Sequence, residues 1–242
     1  MKISVLENYE ALSAHTASLI ADELKKNPAL SLCMASGSSP ALTCDLLVKK
    51  IREGNIDCSR LRFMGLDEWM GLPPTNSGSC HYFFKTKLIE PLGLKPSQYF
   101  LFDALSPNPE SECKKMDAMI KEKGIDIMLV GIGMNGHIGF NEPGTPFDLP
   151  CHVIELEEIT KQVGQKYFLG RTELGKGITI GLGHLMNAAT VILIANGESK
   201  AAVVQQAVEG PVEESFPASI MQRHKNSFVL IDKKAASVLE HG

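Results

Sequence analysis

The amino-acid sequence predicts an α/β protein: a single Rossmann-like domain over residues 1–242, with a mainly parallel sheet flanked by helices. Three observations predict it. Short apolar and β-branched runs recur along the chain, and each ends in glycine, serine or another turn former. Stretches of helical period lie between several of these runs, and strand alternating with helix is the pattern of a parallel sheet covered on both faces. No internal repeat, low-complexity tract or long linker divides the chain.

Taken in order, the first strand run begins by residue 3, and helical period follows over 9–25. ALSLCMASG (29–37) reads as a buried strand. Pro40 then stands at a first helical position, where its missing N–H is no loss, so the chain reads strand, loop, helix, the helix covering 40–52. LRFMGLDEW (61–69) is the next strand, with helical period after it at 81–89 and 110–123. IDIMLVGIG (125–133), GITIGLG (177–183), TVILIANG (190–197) and SFVLID (227–232) complete the apolar runs, and a further helix covers 198–208. In open parallel sheets ligands gather outside the carboxyl ends of the strands, so chemistry is expected in the residues just after each run.

Hydrophobic residues make up 44% of the chain, charged residues 21%, and the formal net charge is −4, the balance of an ordinary globular protein. No basic stripe suited to a nucleic-acid backbone is present, since the pairs Lys114, Lys115 and Lys233, Lys234 stand alone. Glu7 and Glu10 interrupt the start where a secretion signal needs an apolar core, and no segment reaches ~18 uninterrupted apolar residues. The expectation is a cytoplasmic protein without a nucleic-acid or membrane partner. The six cysteines, Cys33, Cys44, Cys58, Cys80, Cys113 and Cys151, form no CxxC pair, so their spacing suggests neither disulfides nor zinc, and they read as small apolar fillers.

Four strand ends carry unusual residues. Ser36, Gly37, Ser38 and Ser39 precede Pro40 as a small-residue loop; it is either a phosphate cradle at a helix N-terminus or a plain tight turn. Asp67 and Glu68 end the second long run, and because consecutive strand side chains point to opposite faces, one carboxylate enters the cleft and the other does not. The alternative is that both cap the loop. In GIGMNGHIGFNEP (131–143), glycines alternate with polar groups at a density that core packing does not require, and His137 is followed by Asn141 and Glu142. A histidine paired with a carboxylate passes protons near neutral pH, although sequence proximity alone is not a hydrogen bond. Lys200 arrives one turn into the helix after TVILIANG, as a phosphate partner or as solvated surface.

Together these segments resemble the glucosamine-6-phosphate deaminase (isomerase) family, within the wider group that includes the 6-phosphogluconolactonases. The resemblance runs from residue 30 to 229 and rests on LDEW with GLP following, GxNGHIGFNEP, the TIGLG strand, GESKAxxVQQAVEG and PAS-hydrophobic-xxRH. The FNEP ending favours the deaminase branch over the lactonases. The resemblance implies that Asp67 moves a proton between C2 and C1 of a ring-opened amino sugar phosphate. His137 assists ring opening, Glu142 supports it and Asn135 orients it. Ammonia leaves and a ketose 6-phosphate remains. It further implies that Ser36, Gly37, Ser38, Ser39, Lys166 and Lys200 hold the phosphate, and that no metal or organic cofactor takes part.

Three departures accompany it. Asn135 stands where aspartate is common, Ser38 where glycine is common, and Lys166 where arginine is common, exchanging a two-pronged fork for a point charge. Trp69 replaces a frequent tyrosine, and Cys80 with Cys151 and His152 is similar to the galactosamine-6-phosphate branch, so glucosamine and galactosamine 6-phosphate both stand as substrates. A lactonase and a non-catalytic sugar-phosphate sensor are the alternative functions. Monomer and homo-oligomer are both open, and the loops 71–78 and 144–150 are candidates for a lid.

Overall fold

The computed structural model describes residues 1–240. Its frame is a seven-stranded sheet in which every neighbouring pair is parallel. The strands are β1 (Lys2–Leu6), β2 (Ser31–Met34), β3 (Arg62–Gly65), β5 (Tyr99–Phe100), β6 (Ile127–Val130), β9 (Thr190–Ala195) and β10 (Ser227–Asp232), in the spatial order β1-β10-β9-β6-β2-β3-β5. Three further strands, β4 (Asp67–Trp69), β7 (His152–Glu155) and β8 (Lys176–Thr179), form a small antiparallel sheet with β8 in the middle.

Each central strand is apolar on both faces because helices cover both. Leu32, Met34, Ile127, Leu129, Ile192 and Ile194 point into one core, built with α1 (Tyr9–Lys26) and α2 (Ser38–Glu53). Their neighbours Cys33, Met128, Val130, Val191 and Leu193 point into the other. That second core includes Met116 and Ile120 of α5 (Pro109–Lys123), Leu185 of α7 (Leu182–Asn187) and Val204 of α8 (Ala201–Glu209). The period-two alternation between cores is what continuous apolar runs in a parallel sheet encode. Sequence signals also set the helix ends. Asn8 caps α1 by accepting from Ala11 N–H at 2.9 Å, and Asn108 caps α5 by accepting from Ser111 N–H at 3.0 Å.

The expected α/β class and mainly parallel sheet are what the structure has, but several elements differ. The run 61–69 is two strands in two sheets. Leu66 is the crossing point: its N–H donates to Met34 O in the large sheet, and its carbonyl accepts from Ile180 N–H beside the small one, both at 2.9 Å. The run 177–183 is not part of the parallel sheet. It supplies antiparallel β8 and then enters α7 at Leu182. The helical stretch 81–89 breaks into α3 (Cys80–Phe84), a π-helical turn at Lys85–Ile89 and α4 (Glu90–Leu92). Strands β5 and β7 and the helices α6 (Glu158–Gly164) and α7 are additions; all are too short for their periodicity to stand out. Among the described residues no helix is long and apolar enough to cross a membrane.

In the large sheet the chain runs outward from β2 through β3 to β5 on one side, and from β6 through β9 and β10 on the other. The order therefore reverses between β2 and β6, which opens a crevice beyond their carboxyl ends. Leu129 is fully buried on β6 beside this reversal. Leu129→Ala removes three side-chain carbons from a packed site and is expected to cost about 2–5 kcal/mol, read from the midpoint of urea unfolding at constant slope.

Candidate active site

The crevice at the reversal is a cleft of about 200 Å³ lined by the loops after β2, β6 and β9, by Asp67 and Trp69 of β4, and by α6 with the residues that follow it. Every residue that the sequence marked for phosphate contact, Ser36, Gly37, Ser38, Ser39, Lys166 and Lys200, lines it. So do Asp67, Asn135 and His137. Glu142 stands just behind, 2% exposed and bonded to His137.

The 36–39 loop delivers the chain into α2, whose N-cap is Gly37 with no side-chain cap. The first amides of this 16-residue helix are therefore free of an internal side-chain acceptor, and the helix dipole adds positive potential at the same end. Gly37 has φ +111°, and a Cβ there would lie 2.9 Å from the Tyr167 hydroxyl, so glycine is required by both conformation and space. Lys200 Nζ donates to Ile132 O at 2.6 Å. Burial, and then the nearby charge of Lys166, lower its pKa to about 8. Two ammonium groups and a helix N-terminus around one loop make an anion site.

Asp67 and Glu68 divide as strand alternation requires. Asp67 faces the cleft, half-buried; Glu68 is turned inward and 3% exposed. Glu68 Oε1 accepts from Trp69 N–H at 2.8 Å and Cys80 N–H at 3.0 Å, and its Oε2 accepts from His81 N–H at 2.7 Å. It therefore holds the start of α3 against β4. The Cys80 thiol in turn donates to Asp67 Oδ1 at 3.6 Å. Burial, followed by the neighbouring charge of Glu68, raises the Asp67 pKa to about 7, with the Cys80 bond opposing. A carboxyl group with that pKa is a far better proton acceptor than an exposed aspartate.

The glycine-rich segment after β6 folds back on itself, with Gly133 N–H donating to His137 O at 2.9 Å. A Cβ on Gly133 would fall 2.3 Å from His137 Nε2, so the ring occupies space that only a glycine leaves open. His137 Nδ1 is 3.3 Å from Glu142 Oε2 and 3.2 Å from Thr160 Oγ1. Asn135 Nδ2 donates to the same Glu142 oxygen at 2.8 Å, and Asn135 Oδ1 accepts from His137 N–H at 3.3 Å. Burial works against the Glu142 charge, but the bonds from His137, Thr160 and Asn135 outweigh it and the pKa is lowered. An ionised Glu142 favours the imidazole proton on Nδ1 and leaves Nε2 without a partner among the described residues. Asn141 does not join this set: it is 1% exposed, and its amide donates to Ile138 O and Ile180 O, pinning the turn.

Thr160, Tyr167 and Cys80 are among the cleft residues that sequence reasoning missed or read as filler. Thr160 is 23 residues from the histidine it touches, and no local pattern announces that contact. Of the two loops expected to flank the site, Ser77 and Gly78 line the cleft and residues 144–150 do not. Neither Cys151 nor His152 is a lining residue.

A doubly covered parallel sheet with an anion cradle and a basic carboxyl group at its switch point defines an α/β protein that handles small phosphorylated molecules. The chain belongs to the glucosamine-6-phosphate isomerase/6-phosphogluconolactonase family, whose model matches residues 7–230. It is 37% identical over 238 residues to a glucosamine-6-phosphate deaminase of Bacillus velezensis, an alignment covering 98% of this chain and 99% of the relative. A solved monomeric glucosamine-6-phosphate deaminase superposes with a TM-score of 0.95 at 34% identity, covering 98% of this chain and all of that one. The 6-phosphogluconolactonase of Trypanosoma brucei shares the fold, with a TM-score of 0.78 at 20% identity over 98% and 97% of the two chains.

The raised pKa of Asp67 has a consequence for stability. Between the ordinary aspartate pKa of about 4 and the folded value of about 7, the folded state holds a proton that the unfolded state has released, so stability falls as pH rises through this window. Asp67→Asn removes the effect. Its melting temperature should exceed that of the wild type at pH 8, and the gap should narrow towards pH 4. A gap independent of pH would show that Asp67 titrates as an ordinary surface carboxylate.

Proposed function

We propose that the protein is a hexosamine-6-phosphate deaminase, with residues 1–242 acting as one unit that converts glucosamine 6-phosphate and water to fructose 6-phosphate and ammonia. The observation that carries the reading is a single cleft holding an anion cradle, a carboxyl group of pKa about 7 and a histidine bonded to a buried carboxylate. Relatives named for this activity over nearly their full length support it.

In this reading the 36–39 loop, the N-terminus of α2, Lys200 and Lys166 hold the 6-phosphate. His137 Nε2 transfers the proton that opens the sugar ring, while Glu142 stabilises the imidazolium and Asn135 and Thr160 fix its orientation. Asp67 removes the proton from C2 of the open chain and returns it to C1. The resulting 2-imino sugar is hydrolysed, so water supplies the ketone oxygen and ammonia leaves. Glu68 takes no part in proton transfer; it raises the basicity of Asp67 and anchors the Ser79–Cys80 wall of the cleft. The galactosamine counterpart remains the second substrate to test, on the strength of Cys80 alone, since Cys151 and His152 lie outside the cleft lining.

Ammonia release measured on both amino sugar phosphates tests the reaction. Glucosamine 6-phosphate should give the higher kcat/KM, and no ammonia from either substrate would sink the proposal. Asp67→Asn should lower kcat by about 10²–10⁴ and also abolish deuterium exchange at C2, a step a lactonase does not need. Lys200→Ala should act mainly on KM. The wild-type kcat/KM should rise with pH until Asp67 ionises near about 7, then fall as free Lys200 loses its charge near about 8.

A further inference from the structure

Away from the cleft, three side chains of metal-ligating type converge from three elements. Asp117 lies on α5, Cys151 ends the segment leading into β7, and His184 lies on α7. One donor atom from each, a carboxylate oxygen, a thiol sulfur and an imidazole nitrogen, lies within 4.8 Å of the other two. None of the three lines the cleft. Asp117 Oδ1 already gathers the group, accepting from Cys151 N–H at 3.0 Å and meeting His184 Nε2 at 2.6 Å.

We propose that Asp117, Cys151 and His184 form a binding site for a zinc-class divalent cation, with water as the fourth ligand. A nitrogen, sulfur and oxygen donor set suits Zn²⁺ or Co²⁺ in tetrahedral geometry, whereas Mg²⁺ and Ca²⁺ take oxygen donors. Cys151 is 5% exposed, while the side chains of His184 and Asp117 are 16% and 28% exposed, so the sulfur sits inside and the opening is on the carboxylate side. Bond lengths of about 2.0 Å set tetrahedral ligands about 3.3 Å apart. The 2.6 Å contact between His184 and Asp117 therefore widens slightly as a shared cation replaces a shared proton. Coordination releases the Cys151 thiol proton to solvent, moves the proton that His184 Nε2 shares with Asp117 to His184 Nδ1 through solvent, and forms a Cys–S–metal bond, with no change of oxidation state. One residue along, His152 holds Nδ1 against Pro150 O at 2.9 Å and leaves Nε2 buried with no hydrogen-bond partner.

The position gives the site a structural reach. The segment 143–150 starts beside Glu142 and ends at Cys151, so a cation there would tie the far end of that segment to α5 and α7. The three donors stand 34 and 33 positions apart in sequence, which is why cysteine spacing gave no sign of them.

Chelator-stripped protein titrated with Co²⁺ reads the thiolate directly, through the near-ultraviolet sulfur-to-cobalt charge-transfer band, and needs no substrate. The wild type should bind one equivalent with this band, displaced by Zn²⁺ and not by Mg²⁺. Cys151→Ser should abolish the band, and His184→Gln and Asp117→Asn should each weaken binding by at least about tenfold. Cys113→Ser, a neighbouring thiol one turn earlier on α5, should leave it intact. Circular dichroism of each stripped variant identifies those that fold, and any one folded ligand variant suffices. A folded wild type with no band at millimolar Co²⁺ overturns the proposal, as does a band that survives in every ligand variant.

Discussion

At Leu66 the backbone belongs to two sheets at once. Its N–H completes the parallel ladder by donating to Met34 O, and its carbonyl accepts from Ile180 N–H next to β8. The side chain is 1% exposed, so neither bond competes with water and the crossing is fixed in direction and height. Everything chemical follows from that point. Asp67 is the first residue of the small sheet, paired with Thr179, and so stands at the rim of the switch-point crevice rather than deeper in the large sheet. The same ladder brings Thr179 Oγ1 to Phe140 N–H at 3.3 Å, which ties the histidine-bearing turn to β8, the strand paired with the one that carries Asp67.

This placement encloses charges that the fold must stabilise by other means. Glu68 is nearly inaccessible, and burial raises its pKa; three backbone N–H donors work against that shift. Those donors belong to Trp69 and to the start of α3, so stabilising one buried carboxylate also sets the wall of the cleft. Asp67 receives only a thiol, a weak donor, and its pKa moves further up than that of a fully bonded carboxylate would. The difference between the two acids is thus a difference in donors. Glu68, rich in donors, ties α3 to β4, and Asp67, poor in donors, faces the cleft.

Much of this was legible in sequence wherever the signal was local. Apolar runs marked the buried strands, the loop 36–39 with Pro40 marked the helix entry to within two residues, since α2 starts at Ser38 rather than Pro40, and the glycine-histidine segment marked the turn after β6. The alternation rule separated Asp67 from Glu68 correctly. Legibility failed where a single run serves two sheets, because the crossing at Leu66 is made by hydrogen bonds to residues 34 and 180 that leave no trace in periodicity. It failed again at Thr160 and Tyr167, which reach the site through α6 and the chain after it, and at Cys80, whose role depends on the Asp67 oxygen it faces rather than on its neighbours.

Asn135 shows how one residue changes the electrostatics of the relay without breaking it. An aspartate at this position would set a second negative charge beside Glu142 Oε2, where it could not donate while ionised. The amide instead donates to that oxygen at 2.8 Å and takes the His137 N–H on its own oxygen. Glu142 then keeps its charge with neutral help, and the His137 ring faces one buried carboxylate rather than two. Orientation, which the asparagine supplies from both ends of its amide, is retained in full.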